Sequence, residues 1–349
     1  MEYDPSVLTA AAVTAEARAA QVVVSPAFTL DRYLPNRDNP SLSFNFDVSQ
    51  TSLPQAASYR SFDAESDFGS EQGGESRSGR IPPISRKLRV NEWDTLSQQI
   101  DGTGLLEASY RKKARLIAGQ IQTRVELARG QALEFGQVTL NENRLKATID
   151  FGRKAAHAVT AVKFWSDPTA DVLGDLAAWK AVYVAANNGG WGDVLISTQV
   201  MTALQRNDGI RSAATGRPAA DVGPIISVDQ VQAVFSAFGY GTLVINDEKV
   251  AGAAGAQVSV ISPSKVIFVP SSASVSISGD GGTALGGTDW GITAESLSPK
   301  YGIGGTERSG IFGAVFSDND PEGRYVLLSA TALPILENAN ATLAAKVLA

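Results

Sequence analysis

Residues 105–135 read LLEASYRKKARLIAGQIQTRVELARGQALEF, the most regular apolar pattern in the chain. The apolar positions step by three or four residues, the spacing that places side chains on one face of an α-helix. Gly104 and Gly136 bracket the pattern, and glycine commonly interrupts helices. The predicted helix is about 45 Å long. Its apolar face comprises Leu106, Tyr110, Ala114, Ile117, Ile121, Val125, Ala128 and Ala132.

The polar face of this helix is basic. Two interpretations stay open: a face covered by water, or one that contacts acidic neighbours or nucleic acid. Glu107 lies in the first turn, where the helix dipole favours an anion. The basic residues are Arg111, Lys112, Lys113, Arg115, Arg124 and Arg129.

The region before this helix divides into an arm and a loop. Residues 5–20 predict an Ala-rich helix with Leu8, Ala12, Ala15 and Ala19 on one face. Four prolines then indicate extended chain, because proline lacks a ladder donor and restricts the preceding residue. Several apolar residues of residues 1–55 need cover, which we expect another subunit to supply. These are Phe28, Tyr33, Leu34, Phe44 and Phe46.

Residues 56–92 predict an acidic, Gly- and Ser-rich loop. Residues 57–62 and 84–90 show strand-like alternation, so a long two-stranded hairpin is the expected shape. A lone hairpin cannot bury a core, and we expect this one to lie against a partner. The candidate contact residues are Phe68, Glu71, Glu75 and Arg77.

After Gly136 the pattern changes to period two. Strands are predicted at 138–140, 147–151 and 157–162. Residues 167–246 then predict an α/β module, with helices from about Asp171, at 198–205 and at 228–238. Its strands are predicted at 193–197 and 242–245, and residues 207–224 are predicted as a loop. From Val258 onward the chain is Gly-rich and strand-like.

Composition excludes several classes of protein. The 349 residues carry a net charge of −6, whereas a general nucleic-acid binder normally has a basic surplus. Cysteine is absent and His157 is the only histidine, so disulfides, thiolate chemistry and multi-histidine metal sites are excluded. No signal peptide or membrane span is visible, and we expect a soluble chain made in the cytoplasm.

The remaining motifs favour structural interpretations. His157 sits in a predicted strand without a nucleophile motif, and residues 279–284 match a dinucleotide pattern only by letter. Residues 318–323 begin like a calcium loop but lack its glutamate, which favours a polar hairpin turn. The five tryptophans are expected in cores. No catalytic, cofactor-binding or metal-binding residue is predicted.

The sequence resembles the tailed-phage major capsid proteins, and specifically the capsid protein E family of lambda-type major head proteins. The resembling segments are FTLDRYLP at 28–35, IDFG at 149–152, HAVT at 157–160 and WSDPTADVLGDL at 165–176. The resemblance implies an α+β, HK97-like fold with an N-terminal arm, an extended β-hairpin loop and a spine helix. The implied bounds are arm 1–55, loop 56–92, peripheral domain 93–166 and 251–349, and α/β axial domain 167–250.

The resemblance also implies a function. The chain would be a structural subunit, not an enzyme, that self-assembles as hexamers and pentamers into an icosahedral shell around phage double-stranded DNA. The implied location is the virion, after assembly in the host cytoplasm. Implied partners are a portal, a decoration protein and weakly bound DNA. A separate scaffolding protein is also expected, because no long charged segment precedes the arm.

Two alternatives stay open, namely an encapsulin-type cellular compartment and a soluble α/β enzyme using residues 167–246. Some relatives of the fold join subunits through an isopeptide bond from a loop lysine. Residues 56–86 contain Arg60, Arg77, Arg80 and Arg86 but no lysine, so we expect cohesion without covalent bonds.

Overall fold

The computed structural model describes residues 2–24, 28–48, 75–90, 92–93, 95–96, 104–187, 189–252, 255–271, 285–304, 309–319 and 322–349. The helices are α1 Ala10–Val24, α2 Leu105–Phe135, α3 Val172–Asn187, α4 Thr198–Arg206, α5 Asp208–Thr215, α6 Val228–Ala237 and α7 Ala294–Leu297.

The strands are β1 Glu2–Tyr3, β2 Asn36–Asp38, β3 Ser43–Val48, β4 Glu75–Arg80, β5 Pro83–Arg89, β6 Gln137–Glu142, β7 Leu145–Asp150, β8 Ala158–Thr160, β9 Asp193–Ile196, β10 Thr242–Ile245, β11 Lys249–Ala251, β12 Gln257–Ser259, β13 Lys265–Val269, β14 Gly286–Gly291, β15 Phe312–Asn319, β16 Glu322–Leu336 and β17 Leu343–Lys346. The chain divides into two units. The first comprises Met1–Phe44, Ser78–Gly130 and Ser276–Ile335; the second comprises Asn45–Arg77, Gln131–Val275 and Leu336–Ala349.

The first unit is a sheet covered by helices. Its strands follow the order β1-β15-β16-β14-β2, and β5 also pairs with β16. The apolar side of α2 packs with α1 and with the sheet in one core. The helix predicted for 105–135 is confirmed, and every residue of its predicted apolar face is buried.

Helix α1 forms within the predicted region but buries a different face. Ala10, Val13, Ala17 and Ala20 are buried, whereas Ala15 and Ala19 are exposed. The predicted face was therefore right for Leu8 and Ala12, which lie in or against the core, and wrong for Ala15 and Ala19. In a segment so rich in alanine, several faces have nearly equal apolar character, and packing against Gly313 and its neighbours decides between them.

The second of the two predicted hairpin strands has another partner. Residues 84–90 were expected to pair with 57–62, yet β5 pairs antiparallel with β16, from Pro83 opposite Thr331 to Arg89 opposite Tyr325. Strand β4 pairs with β3, which begins at Ser43. Residues 57–62 lie outside the described residues. The apolar positions Ile84 and Leu88 explain the change, because they pack against the α1 and α2 core.

The second unit contains the α/β module. Strands β9 and β10 pair in parallel, and the sheet order is β10-β9-β13-β17-β8. Three of its strands come from outside the predicted 167–250 segment, so the sheet is larger than the sequence indicated. Its core is aromatic: Trp165 stacks on Trp179 at 5.7 Å, and Trp191 lies 4.3 Å from Phe268 between ring centroids.

Helix α5 was missed, because residues 207–224 were predicted as a loop. The Asn207 side chain accepts from the Ile210 N–H and begins this helix, and Gly216 ends it in the left-handed conformation. Arg211 is largely buried and donates to the carbonyls of Ala219 and Val222. The polar residues that resembled a loop instead cap a short helix and form hydrogen bonds within this segment.

Strands β6 and β7 form a two-stranded hairpin. Glu142 lies opposite Leu145, and the two residues between them, Asn143 and Arg144, have φ values of 45° and 69°. Two successive positive φ values define the tight turn that suits hairpin twist. Both turn residues are exposed.

Candidate assembly surfaces

The arm is held by a cluster of polar contacts, which we call the arm anchor: the buried residues Leu30, Glu126, Arg129 and Thr288, and the exposed Asn36. Glu126 and Arg129 lie on α2, and Arg129 Nη1 donates to Glu126 Oε2 at 2.9 Å. The other oxygen, Glu126 Oε1, accepts from the Leu30 N–H at 2.9 Å. Arg129 Nη2 donates to Asn36 Oδ1 at 2.6 Å, and Nε donates to Thr288 Oγ1 at 2.9 Å.

At Arg129 the structure decides between the two interpretations left open for the basic residues of α2, in favour of contact with an acidic neighbour. The side chain of Arg129 is 1% exposed and that of Glu126 is 0% exposed. Arg129 is therefore not part of a solvent-covered basic face. Burial raises the pKa of Glu126, while Arg129 and the Leu30 N–H oppose the rise. Removing one member of a buried pair leaves an uncompensated charge, which costs about 3–5 kcal/mol. Substitution of either charged residue of the arm anchor should therefore strongly destabilise the fold.

Tyr33 and Leu34 follow the 3-10 turn Leu30–Arg32 and enter the core of their own subunit. They are 1% and 0% exposed. Thr288 Oγ1 donates to the Leu34 carbonyl at 2.8 Å, and the Thr288 N–H donates to the Pro35 carbonyl. The structure thus covers both residues within the subunit, which corrects the expectation that another subunit does so. Their apolar character indicated burial but could not identify the covering surface.

Beyond the anchor, β2 runs parallel to β14. Arg37 forms an ion pair with Asp289, which is 2% exposed. Asn39 Nδ2 donates to Asp289 Oδ2 at 2.7 Å. Trp290 Nε1 donates to Asn36 Oδ1 at 2.8 Å, so one amide oxygen accepts from both Trp290 and Arg129. The arm from residue 30 to residue 39 is thereby fixed to the sheet and to α2.

The base of the loop closes on Phe44, which is buried in β3. A Cβ at Gly79 would lie 2.5 Å from the Phe44 ring, so only glycine allows this ring to cross β4. The Ile81 N–H donates to the Leu42 carbonyl at 3.1 Å. Phe44 is therefore also covered within its subunit, contrary to the expected contact with a neighbour.

The other predicted contact residues are distributed as follows. Phe28 is half-buried, and Phe46 and Glu75 are members of β3 and β4. Phe68 and Glu71 lie outside the described residues. Arg77 donates to the Asp150 carbonyl at 2.7 Å and lies 3.4 Å from its carboxylate, both within one subunit.

The C-terminal end of α2 is capped by Arg153, a role that no sequence pattern indicated. Its guanidinium donates to the carbonyls of Leu133 at 2.9 Å and Glu134 at 2.6 Å, two of the last acceptors of the helix. Burial lowers the pKa of Arg153 to about 10, while Glu134 opposes the change. Gly136 has φ +67°, and a Cβ there would lie 2.7 Å from Arg153 Cβ.

Catalytic chemistry finds little support in the described ranges. His157 is 1% exposed, and its Nδ1 donates to the Thr342 carbonyl at 3.1 Å. Burial lowers its pKa, so the ring is neutral at pH 7. No cluster of three or more metal-ligating side chains occurs among the described residues. The antiparallel pairing of β15 with β16, with Asn319 opposite Glu322, confirms the polar hairpin.

One tryptophan departs from the expected burial. Trp165, Trp179, Trp191 and Trp290 are buried as predicted, whereas Trp93 is 73% exposed. In the part of the chain that the structure describes, no helix has the length and apolar character needed to cross a membrane.

Two solved structures show the same fold over nearly the whole chain. The prophage capsid protein of E. coli CFT073 has a TM-score of 0.64 and 13% identity, covering 97% of this chain and 99% of that one. A phage-related protein from Bordetella bronchiseptica RB50 has a TM-score of 0.54 and 15% identity, covering 99% and 97%. No curated protein matches the sequence.

The chain has an α+β, HK97-like fold with an anchored arm and a loop base. The chain belongs to the phage major capsid protein E family, whose model matches residues 9–347. It is a structural, non-enzymatic subunit of the bacteriophage head, and many copies assemble into the virion capsid.

Proposed function

We propose that the subunit forms hexamers and pentamers of an icosahedral shell around phage double-stranded DNA, and that loop 56–92 contacts a neighbouring copy. The arm anchor carries this proposal. A buried ion pair fixes residues 30–39, and β3 and β4 close the loop base at Phe44, so the intervening chain leaves from a firmly held support.

The proposed contact residues are the remaining members of the predicted set. They are Phe28, Phe46, Phe68, Glu71 and Glu75. Apolar contact should contribute more than charge, because an exposed ion pair contributes only about 0–1 kcal/mol. We keep the names axial domain for 167–250 and peripheral domain for 93–166 and 251–349 as part of this proposal.

Electron microscopy of the purified protein tests the proposed assembly, and closed icosahedral shells are the expected result. Shells enclosing a cellular enzyme would instead favour a cellular compartment. A stable monomer near 36.6 kDa on size exclusion would contradict the proposed shell.

The proposed partners are a separate scaffolding protein, a portal, a decoration protein and DNA bound weakly without sequence preference. Assembly is proposed to occur in the host cytoplasm. The net charge of −6 supports weak DNA contact, because an acidic wall limits counterion-driven binding. Expression of the subunit alone tests the scaffolding proposal: irregular particles are expected, and uniform closed shells would contradict it.

A further inference from the structure

The outer edge of strand β15 is covered by the N-terminal part of the chain. Strand β1 has two residues and pairs antiparallel with β15, with Glu2 opposite Ser317. The rest of β15 lies against helix α1 at the edge of the six-stranded sheet. Every second residue of an edge strand presents its backbone N–H and C=O outward, so the edge offers a row of groups to which another strand can bind.

The two carbonyls of this row that follow β1 have partners in the N-terminal segment. The Asp4 N–H donates to the Val315 carbonyl at 3.0 Å. The buried Thr14 Oγ1 donates to the Gly313 carbonyl at 3.3 Å and accepts from the Gly313 N–H at 3.0 Å. One hydroxyl group therefore makes both of the hydrogen bonds that a residue of a neighbouring strand would make.

Arg18 continues the row one helical turn further along α1 than Thr14. Its Nε donates to the Ile311 carbonyl at 3.2 Å, and its Nη2 donates to the Ser309 carbonyl at 2.8 Å. Every second residue of the edge is thus covered, first by β1 and then by two side chains of α1. We call residues 2–18 the edge guard.

A glycine on β15 allows α1 to approach the strand this closely. A Cβ at Gly313 would lie 2.7 Å from Val13 Cγ1 and 3.4 Å from the Val13 carbonyl group. A larger residue would push α1 away from the strand and lengthen the hydrogen bonds of Thr14. The sequences of the helix and of the strand are therefore matched to this contact.

The need to satisfy backbone groups does not by itself explain the edge guard. An edge exposed to water also has its hydrogen bonds made, but it stays open to another strand. Residues 312–316 of β15 read FGAVF, an uncharged apolar stretch without proline, which is the composition that favours pairing between chains. Many copies of this chain assemble together, so the strand most often available to such an edge is β15 of another copy.

We propose that the edge guard prevents β15 from pairing with β15 of a second copy. Two such edges would pair antiparallel about a two-fold axis, and a contact of this kind joins identical surfaces and closes as a dimer. Copies held in that dimer are lost to any larger assembly. The guard therefore acts on the free subunit, before the contacts proposed for the shell are made.

The proposal is tested by weakening the guard while keeping its bulk. The guard variant carries Thr14→Val and Arg18→Met, which remove the hydroxyl and the guanidinium. In the fraction that sediments more slowly than shells, light scattering should find about tenfold more dimer than in the unmodified protein, because groups of β15 then find partners on a second copy. Thermal melting checks that the variant is folded.

The matched control makes the same two kinds of substitution on α2. It carries Thr123→Val and Arg115→Met, which alter a hydroxyl bonded within α2, to the Gly119 carbonyl, and an exposed guanidinium. Its dimer fraction should equal that of the unmodified protein. An equal increase in the control and in the guard variant would overturn the proposal, because the dimer would then follow from general loosening of the fold.

A second pair of substitutions locates the contact. Ser309→Lys and Ser317→Lys, added to the guard variant, place a cation at each end of the row. In an antiparallel pair centred on Gly313, each new lysine lies opposite the other, and like charges in that position destabilise the pair. The dimer fraction should return to near that of the unmodified protein. A dimer that the lysines leave intact lies at another surface and would overturn the proposal.

Two further outcomes are decisive. A guard variant that folds and shows no additional dimer would mean that the edge needs no guard. If the guard variant does not fold, Arg18→Met alone is used; it frees only the carbonyls of Ser309 and Ile311 and should raise the dimer fraction less, and no increase would overturn the proposal. Failure of the unmodified protein to form shells would count against the proposed function alone, because the comparison of free subunits does not need shells.

Discussion

At the scale of single residues, Arg129 has the largest expected effect. Replacing it with methionine keeps the bulk but leaves the buried Glu126 carboxylate without its cation. Arg129→Met should lower the free energy of unfolding by about 3–5 kcal/mol, measured by urea denaturation. Arg115→Met, at a side chain 62% exposed, is the control and should cost at most about 1 kcal/mol. Equal effects of both variants would contradict the anchor.

The same variant should respond to pH in a defined direction. The pKa of Glu126 is already raised by burial, and losing Arg129 removes a group that lowers it. A raised carboxyl pKa means that the folded state binds the proton more tightly than the unfolded state does. The free energy of unfolding that this group contributes therefore falls as pH rises through the raised pKa. The loss of unfolding free energy caused by Arg129→Met should therefore become smaller as pH falls from 7 to 5. A deficit that grows on acidification would contradict this.

Glu16 has the opposite pH dependence. Hydrogen bonds from Arg115 and then Arg111 lower its pKa below the ordinary value of 4.5. Its contribution to stability is present above that value and is lost as pH falls through the lowered pKa. Glu16→Gln should therefore flatten the decline in melting temperature between pH 6 and pH 3. An unchanged decline would show that Glu16 contributes nothing there.

Individual residue roles were the hardest to predict. The six cations of α2 share one polar pattern, yet Arg129 is buried because Thr288, 159 positions away, accepts from it. Tyr33 and Leu34 were correctly expected to need cover, but the covering surface is also remote in sequence. Trp93 is exposed although its residue type favours a core. The periodicity of a sequence indicates which face of an element is apolar. Whether a particular side chain is buried also depends on contacts with residues that are distant in the sequence.

At the scale of elements, alanine substitutions at two glycines, one inside α2 and one directly after it, should change the stability in opposite directions. Gly136→Ala strains a left-handed residue and meets Arg153, so we expect a loss of about 1–3 kcal/mol. Gly119 lies inside α2 with open space around it, so Gly119→Ala should gain about 0.5–1 kcal/mol. Chemical denaturation measures both. Equal signs would contradict the end of α2 at Phe135.

The middle of α2 should not tolerate proline. Ile121→Pro removes a backbone donor and distorts the turn before it, at a cost of about 3 kcal/mol or more, and it should abolish shell assembly. Ile121→Val keeps the apolar contact and should cost about 0.5–1.5 kcal/mol, with shells still formed. Particle yield by sedimentation compares the two. Normal yield from the proline variant would refute the role of α2 as a spine.

Elements were predictable where the local pattern was long and distinct. Helix α2 was found at its full extent because its apolar positions recur over 31 residues. Helix α5 has only eight residues, too few for a period to stand out among polar neighbours. In α1, alanines on several sides made the buried face ambiguous. Strand pairing of β5 depends on β16, more than 200 positions later, and no local pattern reports it.

At the scale of the whole molecule, the particle should be held together without covalent bonds. The chain has no cysteine, and residues 56–86 have no lysine. Mature particles boiled in detergent should therefore run as a single band near 36.6 kDa on a denaturing gel. Particles of a relative known to cross-link provide the control for detecting multimers. A ladder of larger bands would contradict the prediction.

The β6–β7 hairpin gives the molecule a practical use as a carrier. Its turn, Asn143 and Arg144, is exposed, and the flanking Glu142 and Leu145 already lie side by side. A foreign peptide inserted there has both ends held together, and lengthening a loop costs little, about 0.6 kcal/mol per doubling. Each subunit would carry one insert, so a shell would hold as many copies of the peptide as it has subunits.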